Sequence, residues 1–370
     1  MRVRVAPTLL PPGAEAAAAA LKRALAAKNM TDLAGAMLEA PCSPGPPLEA
    51  AGGSRTAHDN LAATVESDGS ITFARVDTGA VLFSATATFA YNDDLATASF
   101  GYFTANLTLT PGPGSRDEVV YGLGQGNWTG EGGCPSPAPS GARIVPLERN
   151  GQRVDLQQRK FHVSIPFTYS TAGYGFLFNM PGYGEVSIGA HGVGGAQWSQ
   201  QAALYVDFWV AALPKNVAAP SPTEIYTQYA DATGHAPPLR ATARGFWQSR
   251  NRYKSSAIAL GIAQRYEELK VPVGVLVIDY KNQVNDGDWA PNPACYPSVK
   301  ELVDGVHSAG IPELMFSFWP EVTPQSAEYD TLRSAGCLIN ADLGGFAFDA
   351  TIPECRELVW RTMLKPRYYD

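Results

Sequence analysis

The chain is short of charge. Asp, Glu, Lys and Arg make up only 17% of its 370 residues, and the formal net charge is −7. No Lys/Arg run breaks that balance, which argues against a nucleic-acid partner, because phosphates need a basic patch. Long apolar runs are also missing. None approaches the roughly 20 residues of a membrane-spanning helix, so no membrane partner is expected. Cysteine is scarce: Cys42, Cys134, Cys295, Cys337 and Cys355. None lies in a CxxC or Cys/His cluster, so no zinc or other metal is expected. An odd count at wide spacing does not suggest a disulfide framework. The N-terminal MRVRVAPTLLPPG is charged without an apolar core, so no secretory leader is visible.

What the chain has instead is 36 Gly, 29 Pro and 10% aromatic residues. That is a turn-rich globular composition, and the length implies two domains. Arg2–Ala6 alternates and reads as a first edge strand. Ala14–Ala27 reads as an Ala-rich helix, and Pro41–Gly53 as a linker. Asn29, Asn106 and Asn127 begin N-x-Thr triplets, which matter only in a secreted protein. From about Leu61 to Leu213 the texture is β. Short runs such as Ile71–Val76, Ala80–Ala87 and Ala105–Leu109 alternate with Gly-containing turns, the pattern of an antiparallel sandwich. Gly112–Pro139 reads as a long loop containing Tyr121-Gly122-Leu123-Gly124-Gln125. The aromatics of Gly173–Asn179 fit either ligand stacking or packing between sheets.

After a hinge at Gln228–Pro238 the texture changes. Strand candidates at Ala243–Gln248, Val273–Ile278, Glu313–Phe318 and Cys337–Asn340 alternate with helices at Ser255–Lys270, Ser298–Ala309 and Gln325–Ala335. A last helix opens at Pro353 and runs to about Leu364. Ile258, Ile262, Tyr266 and Leu269 mark one helical stripe; Val299, Leu302, Val303 and Val306 mark another. Gly310 and Gly336 stand where helices close. About three βα units of roughly 35 residues fit, whereas a barrel needs eight. The most apolar strand runs into Asp279-Tyr280, and a carboxylate at the C-terminal end of a barrel strand is the expected place for chemistry. Capping of the following loop is the competing role. His307 reads as a surface histidine, and Arg250 and Arg252 as rim residues or structural ion-pair partners.

Gly245-Phe246-Trp247-Gln248-Ser249-Arg250-Asn251-Arg252-Tyr253, Val277-Ile278-Asp279-Tyr280, Gly287-Asp288-Trp289 and Phe318-Trp319-Pro320 follow one another in an order that resembles the start of the catalytic barrel of glycoside hydrolase family 31. Tyr121–Gln125 and Ile165–Asn179 resemble that family's preceding sandwich. The resemblance covers about Val120 to Asp370. It implies a galactose-mutarotase-like β-sandwich followed by the first part of a (β/α)8 TIM barrel, here truncated. The implied division is an extension with a first strand (1–60), a sandwich (61–227), a linker (228–240) and a partial catalytic domain (241–370).

The resemblance further implies an α-glucosidase or α-xylosidase type of enzyme that retains anomeric configuration, needs no cofactor and takes an oligosaccharide or glycoside. Such chemistry uses two carboxyl groups about 5–5.5 Å apart. Both belong to motifs absent here, and Asp342, Asp349 and Asp370 lie in no matching context. No catalytic residue is therefore expected in this chain. The resemblance assigns Asp279 to sugar hydroxyls and Trp319 to the sugar-ring face. Tyr280 joins them, and Trp289 serves either to shape the entrance or to pack its loop. Asn292 and Lys281–Val284 depart from the family pattern. The alternative is a carbohydrate-binding or regulatory remnant without hydrolase activity.

Overall fold

The computed structural model describes residues 1–5, 53–92, 102–115, 117–125, 148–157, 163–180, 182–201, 203, 205–215, 217, 221–340 and 345–369. The expected helix at Ala14–Ala27, nearly all of the Pro41–Gly53 linker, Asn29, Asn127, Asp342 and Asp370 lie outside these residues. The described chain divides into two compact units between Ala236 and Pro237.

The first unit is built from two antiparallel sheets. One has five strands: β1 (Arg2–Val5), β7 (Val120–Gln125), β9 (Val163–Ser170), β10 (Tyr174–Phe178) and β13 (Val206–Ala212), in the order β1-β13-β10-β9-β7. The other has eight: β2 (Arg55–His58), β3 (Leu61–Val65), β4 (Ile71–Arg75), β5 (Val81–Asn92), β6 (Tyr102–Pro111), β8 (Arg153–Asp155), β11 (Gly184–Ile188) and β12 (Ala196–Gln200), in the order β2-β3-β4-β5-β6-β12-β11-β8. The strands expected at Arg2, Ile71, Ala80 and Ala105 are all present, the last two longer than expected, because apolar-polar alternation is a direct readout of a half-buried strand.

The core lies between the sheets. Phe73, Phe83, Leu107 and Trp198 face Phe176, Phe178, Phe208 and Val210 in one buried cluster. Because side chains alternate along a strand, Leu177, Trp209 and Ala211 fall on the opposite face of the same strands. There they pack with Phe167, Tyr169 and Ile225 of helix α1 (Pro222–Thr233). This is why β10 and β13 are buried on both faces. Phe176 and Phe178 are completely enclosed, with Trp198 ring centroids 5.2 and 5.3 Å away. Their role is packing between sheets, not ligand stacking.

Helix α1 starts at Pro222, with the Ser221 side chain capping the Thr223 N–H. It carries residues 228–233 of the expected linker, so that segment is helical and the extended stretch begins at Gly234. Two buried polar groups hold the unit. Asp207, fully buried, pairs with Arg2 at 2.8 Å and Arg4 at 2.9 Å, clasping β1 onto β13. Glu118 accepts hydrogen bonds from Ser170 Oγ at 2.9 Å, Tyr174 OH at 3.2 Å and the Gly195 N–H at 3.4 Å. Burial raises the Glu118 carboxyl above its ordinary value despite these donors.

The second unit contains three parallel strands, β14 (Trp247–Arg250), β15 (Val275–Ile278) and β16 (Glu313–Phe316), in that order. Helix α2 (Ser256–Glu268) and helix α3 (Val299–Ser308) connect them, capped by the hydroxyls of Ser255 and Ser298. Two differences from the pattern reading are local. Thr242–Arg244 forms a 3₁₀ turn closed by the Gly245 N–H, so the first strand starts at Trp247 rather than Ala243. In α2 the buried residues are Ala259 and Ala263, while Ile258 and Leu269 are exposed. Small side chains let that helix lie close to its neighbours, and Ile262 and Tyr266 pack at its flank. In α3 the expected Leu302 and Val306 are buried.

The third expected βα unit is different. β18 (Leu338–Asn340) pairs antiparallel with β19 (Phe346–Phe348), which also pairs with β17 (Glu321–Val322). These strands form a separate small sheet rather than extending the parallel one. Helices α4 (Tyr329–Ser334) and α5 (Pro353–Val359) flank it. Beyond α5, Trp360–Leu364 is a π-helical turn leading into α6 (Lys365–Tyr368). A disulfide joins Cys337 to Cys355, 18 residues apart, contrary to the sequence expectation. The wide spacing closes in space because the start of β18 and the first turn of α5 share one apolar core with Trp289, Leu332 and Met363. Among the described residues no sheet closes into a barrel.

Candidate functional site

The parallel strands end at Arg250, Ile278 and Phe316. The residues just beyond them are Asn251–Tyr253, Asp279–Lys281 and Ser317–Trp319, and Asp279 is the one carboxylate among these nine. Val275–Ile278 is buried throughout and forces Asp279 to emerge at the sheet edge, where it is partly exposed. The chain then turns sharply. Tyr280 and Lys281 both hold φ of 54°, a left-handed conformation that non-glycine residues adopt at a cost. This turn leaves Tyr280 exposed beside Trp319, with ring centroids 6.0 Å apart. Lys281 Nζ lies 5.6 Å from the Tyr280 ring.

The structure brings Asp279, Tyr280 and Trp319 together at one end of the parallel strands. Ser317 Oγ donates to Asp279 Oδ1, and the Ser317 N–H donates to the Ile278 carbonyl at 3.0 Å. Trp289 is placed differently, being only 2% exposed. It packs against Phe348 at 5.6 Å, and its indole N–H donates to the Trp319 carbonyl at 2.9 Å. It thus holds the backbone of Trp319 from the core. Gln283 fixes Trp289 in turn, its Oε1 accepting the Trp289 N–H at 2.7 Å.

Among the described residues, Asp288 and Asp349 are tied up in turns. Asp288 accepts from the Asn285 N–H at 2.7 Å and the Ala327 N–H at 2.9 Å. Asp349, buried, accepts from the Thr351 N–H at 3.0 Å. Asn292 Oδ1 accepts from the Ala294 N–H at 3.0 Å, a local turn. Arg250, Arg252 and His307 are exposed. Tyr368 packs between Phe316 and Phe318, and burial pushes its phenol up to about 12. Sequence reasoning missed Ser317, and it named Asn282 and Gln283 only within Lys281–Val284, as a departure from the family pattern, without their contacts. Their polar side chains act only through neighbours that the fold supplies, so nothing in the local pattern marks them. No group of His, Cys, Asp or Glu among the described residues could hold a metal ion.

Residues 236–370 match the family described as Glycosyl hydrolases family 31 TIM-barrel domain. An uncharacterized family 31 glucosidase of Pseudescherichia vulneris is 33% identical over 234 residues, 60% of this chain and 42% of that one. Over these residues the chain is similar to glycoside hydrolase family 31. An α-xylosidase of Saccharolobus solfataricus is 31% identical over 252 residues, covering 66% of this chain and 31% of its own. A crystal structure of a family 31 α-xylosidase from a soil metagenome, complexed with xylose, superposes with a TM-score of 0.68 at 29% identity. That match covers 87% of this chain and 47% of the other. The chain therefore spans less than half the length of these proteins.

Proposed function

We propose that the chain is the N-terminal portion of a retaining α-glycosidase acting at the non-reducing end, of α-xylosidase or α-glucosidase type. The observation that carries this is the partly exposed Asp279 at the end of β15, beside the exposed Trp319 and Tyr280. Asp279 accepts hydrogen bonds from sugar hydroxyls, charge-assisted and therefore strong. Trp319 offers an apolar face to the sugar ring, and Tyr280 widens that platform. Trp289 contributes indirectly, by fixing Trp319. The names and sugar complexes of the relatives support this reading and make xylose the first sugar to test.

The reacting pair of carboxyl groups, about 5–5.5 Å apart in a retaining enzyme, is proposed to lie outside these 370 residues. The chain alone is then a sugar-binding half-site without turnover. Calorimetry with xylose and glucose tests the site: Asp279→Ala should weaken binding at least tenfold, since each hydrogen bond to a charged group is worth about 1.5–3 kcal/mol. Equal binding by the variant would refute the assignment. Release of p-nitrophenol from an α-xyloside by residues 1–370 would refute the absence of turnover.

A further inference from the structure

Ser317 follows β16 directly, and three of its atoms are engaged. Its N–H donates to the Ile278 carbonyl at 3.0 Å, its carbonyl accepts from Asn282 Nδ2 at 2.6 Å, and its Oγ donates to Asp279 Oδ1. Asn282 Nδ2 also lies 3.4 Å from the Ile278 carbonyl, so one buried amide bridges the ends of two adjacent strands. Asn282 is only 2% exposed. The hydroxyl of Ser317 is thus mounted on a fixed backbone, and it reaches the neighbouring strand end. It is the hydrogen-bond partner of the Asp279 carboxylate among the described residues. Among the described residues no donor engages Oδ2.

We propose that Ser317 is a positioning residue for sugar recognition. It holds Oδ1 and so fixes the Asp279 carboxylate with Oδ2 presented to a hydroxyl of the terminal sugar. This rests on the sugar-binding reading of Asp279. The physical reason is preorganisation. Asp279 sits between a buried strand and a left-handed turn, and a carboxylate anchored at one oxygen is ordered before the ligand arrives. Supporting groups that lock a contacting side chain are as necessary to a tight site as the contacts themselves.

The test uses the whole chain and two readouts: the Asp279 ¹³Cγ resonance, assigned through Asp279→Asn, and a xylose titration followed by calorimetry. Ser317→Ala should move the resonance and weaken xylose binding by about tenfold, the size of one hydrogen bond to a charged group. Ser317→Thr, which keeps the hydroxyl, should leave both close to wild type. In the Asp279→Asn background, Ser317→Ala should cost nothing further. An unmoved resonance overturns the proposal. So does a moved resonance with unchanged affinity, or an equal loss in the Asp279→Asn background. If the wild-type chain binds neither xylose nor glucose, the sugar-site reading itself fails and the positioning role falls with it. That outcome shows in the wild-type titration, not in the variants.

Discussion

Cys337 and Cys355 close a loop of 18 residues within a core that also contains Trp289, Leu332, Val359 and Met363. Cross-linking an unfolded chain over that separation removes loop-closure entropy worth about 3 kcal/mol at 25 °C. Both residues are almost completely buried, at 2% and 1% exposure. Replacing both by Ala removes the cross-link and two methyl-sized volumes, each worth about 1 kcal/mol. The double variant should therefore lose about 5 kcal/mol in the unit beginning at Pro237. Guanidinium unfolding followed by tryptophan fluorescence measures this, since Trp289 shares the core. The transition of the β-sandwich unit should stay in place. A double variant within about 1 kcal/mol of wild type would refute the reasoning. Non-reducing peptide mapping that finds both as free thiols would refute it too.

Two further outcomes concern the sandwich. A carboxyl with a raised native value binds its proton more tightly when folded. Glu118 therefore favours folding below its ordinary 4.5, and stability falls as pH rises from there through the raised native value. Glu118→Gln should be more stable than wild type at neutral pH and should flatten that slope in thermal melts; an unchanged slope would contradict the assignment. Asp207→Ala leaves Arg2 and Arg4 without their shared carboxylate. It should cost about 3 kcal/mol, at the low end for a broken buried pair because Arg4 is 41% exposed. Limited proteolysis should then cut near β1 first, and an unaltered cleavage pattern would argue that the clasp carries little.

Local pattern carried most of the architecture. Alternation at Ile71–Arg75 and the glycine turns predicted strands correctly, because burying one face of a pleated strand leaves a period of two in the chain. The apolar stripe of α3, its Ser298 cap and Gly310 predicted that helix for the same kind of reason. Where the pattern failed, the deciding partner was distant. In α2, Ile262 and Tyr266 of the expected stripe pack against the core but Ile258 and Leu269 do not, because Ala259 and Ala263, too small to dominate a hydrophobic pattern, are what a close approach selects. The strand at Leu338 was expected in the parallel sheet, but strand type is local whereas the pairing partner, Phe346–Phe348, is not.

The same division runs through the candidate site. The residues themselves marked Asp279: a buried strand ending in a carboxylate, followed by motifs in family order. Trp319 and Tyr280 came from the family resemblance rather than from the local pattern. Only the tertiary structure decided which of them share a surface, and that Trp289, named with them, sits in the core and touches Trp319 through its indole N–H. Only the structure joined Cys337 to Cys355 and set Ser317 against Asp279. Composition and periodicity report how each residue partitions between water and protein, which is a property of one position and its neighbours. A hydrogen bond across two strand ends depends on register and packing between segments some 38 residues apart, and no single position encodes it.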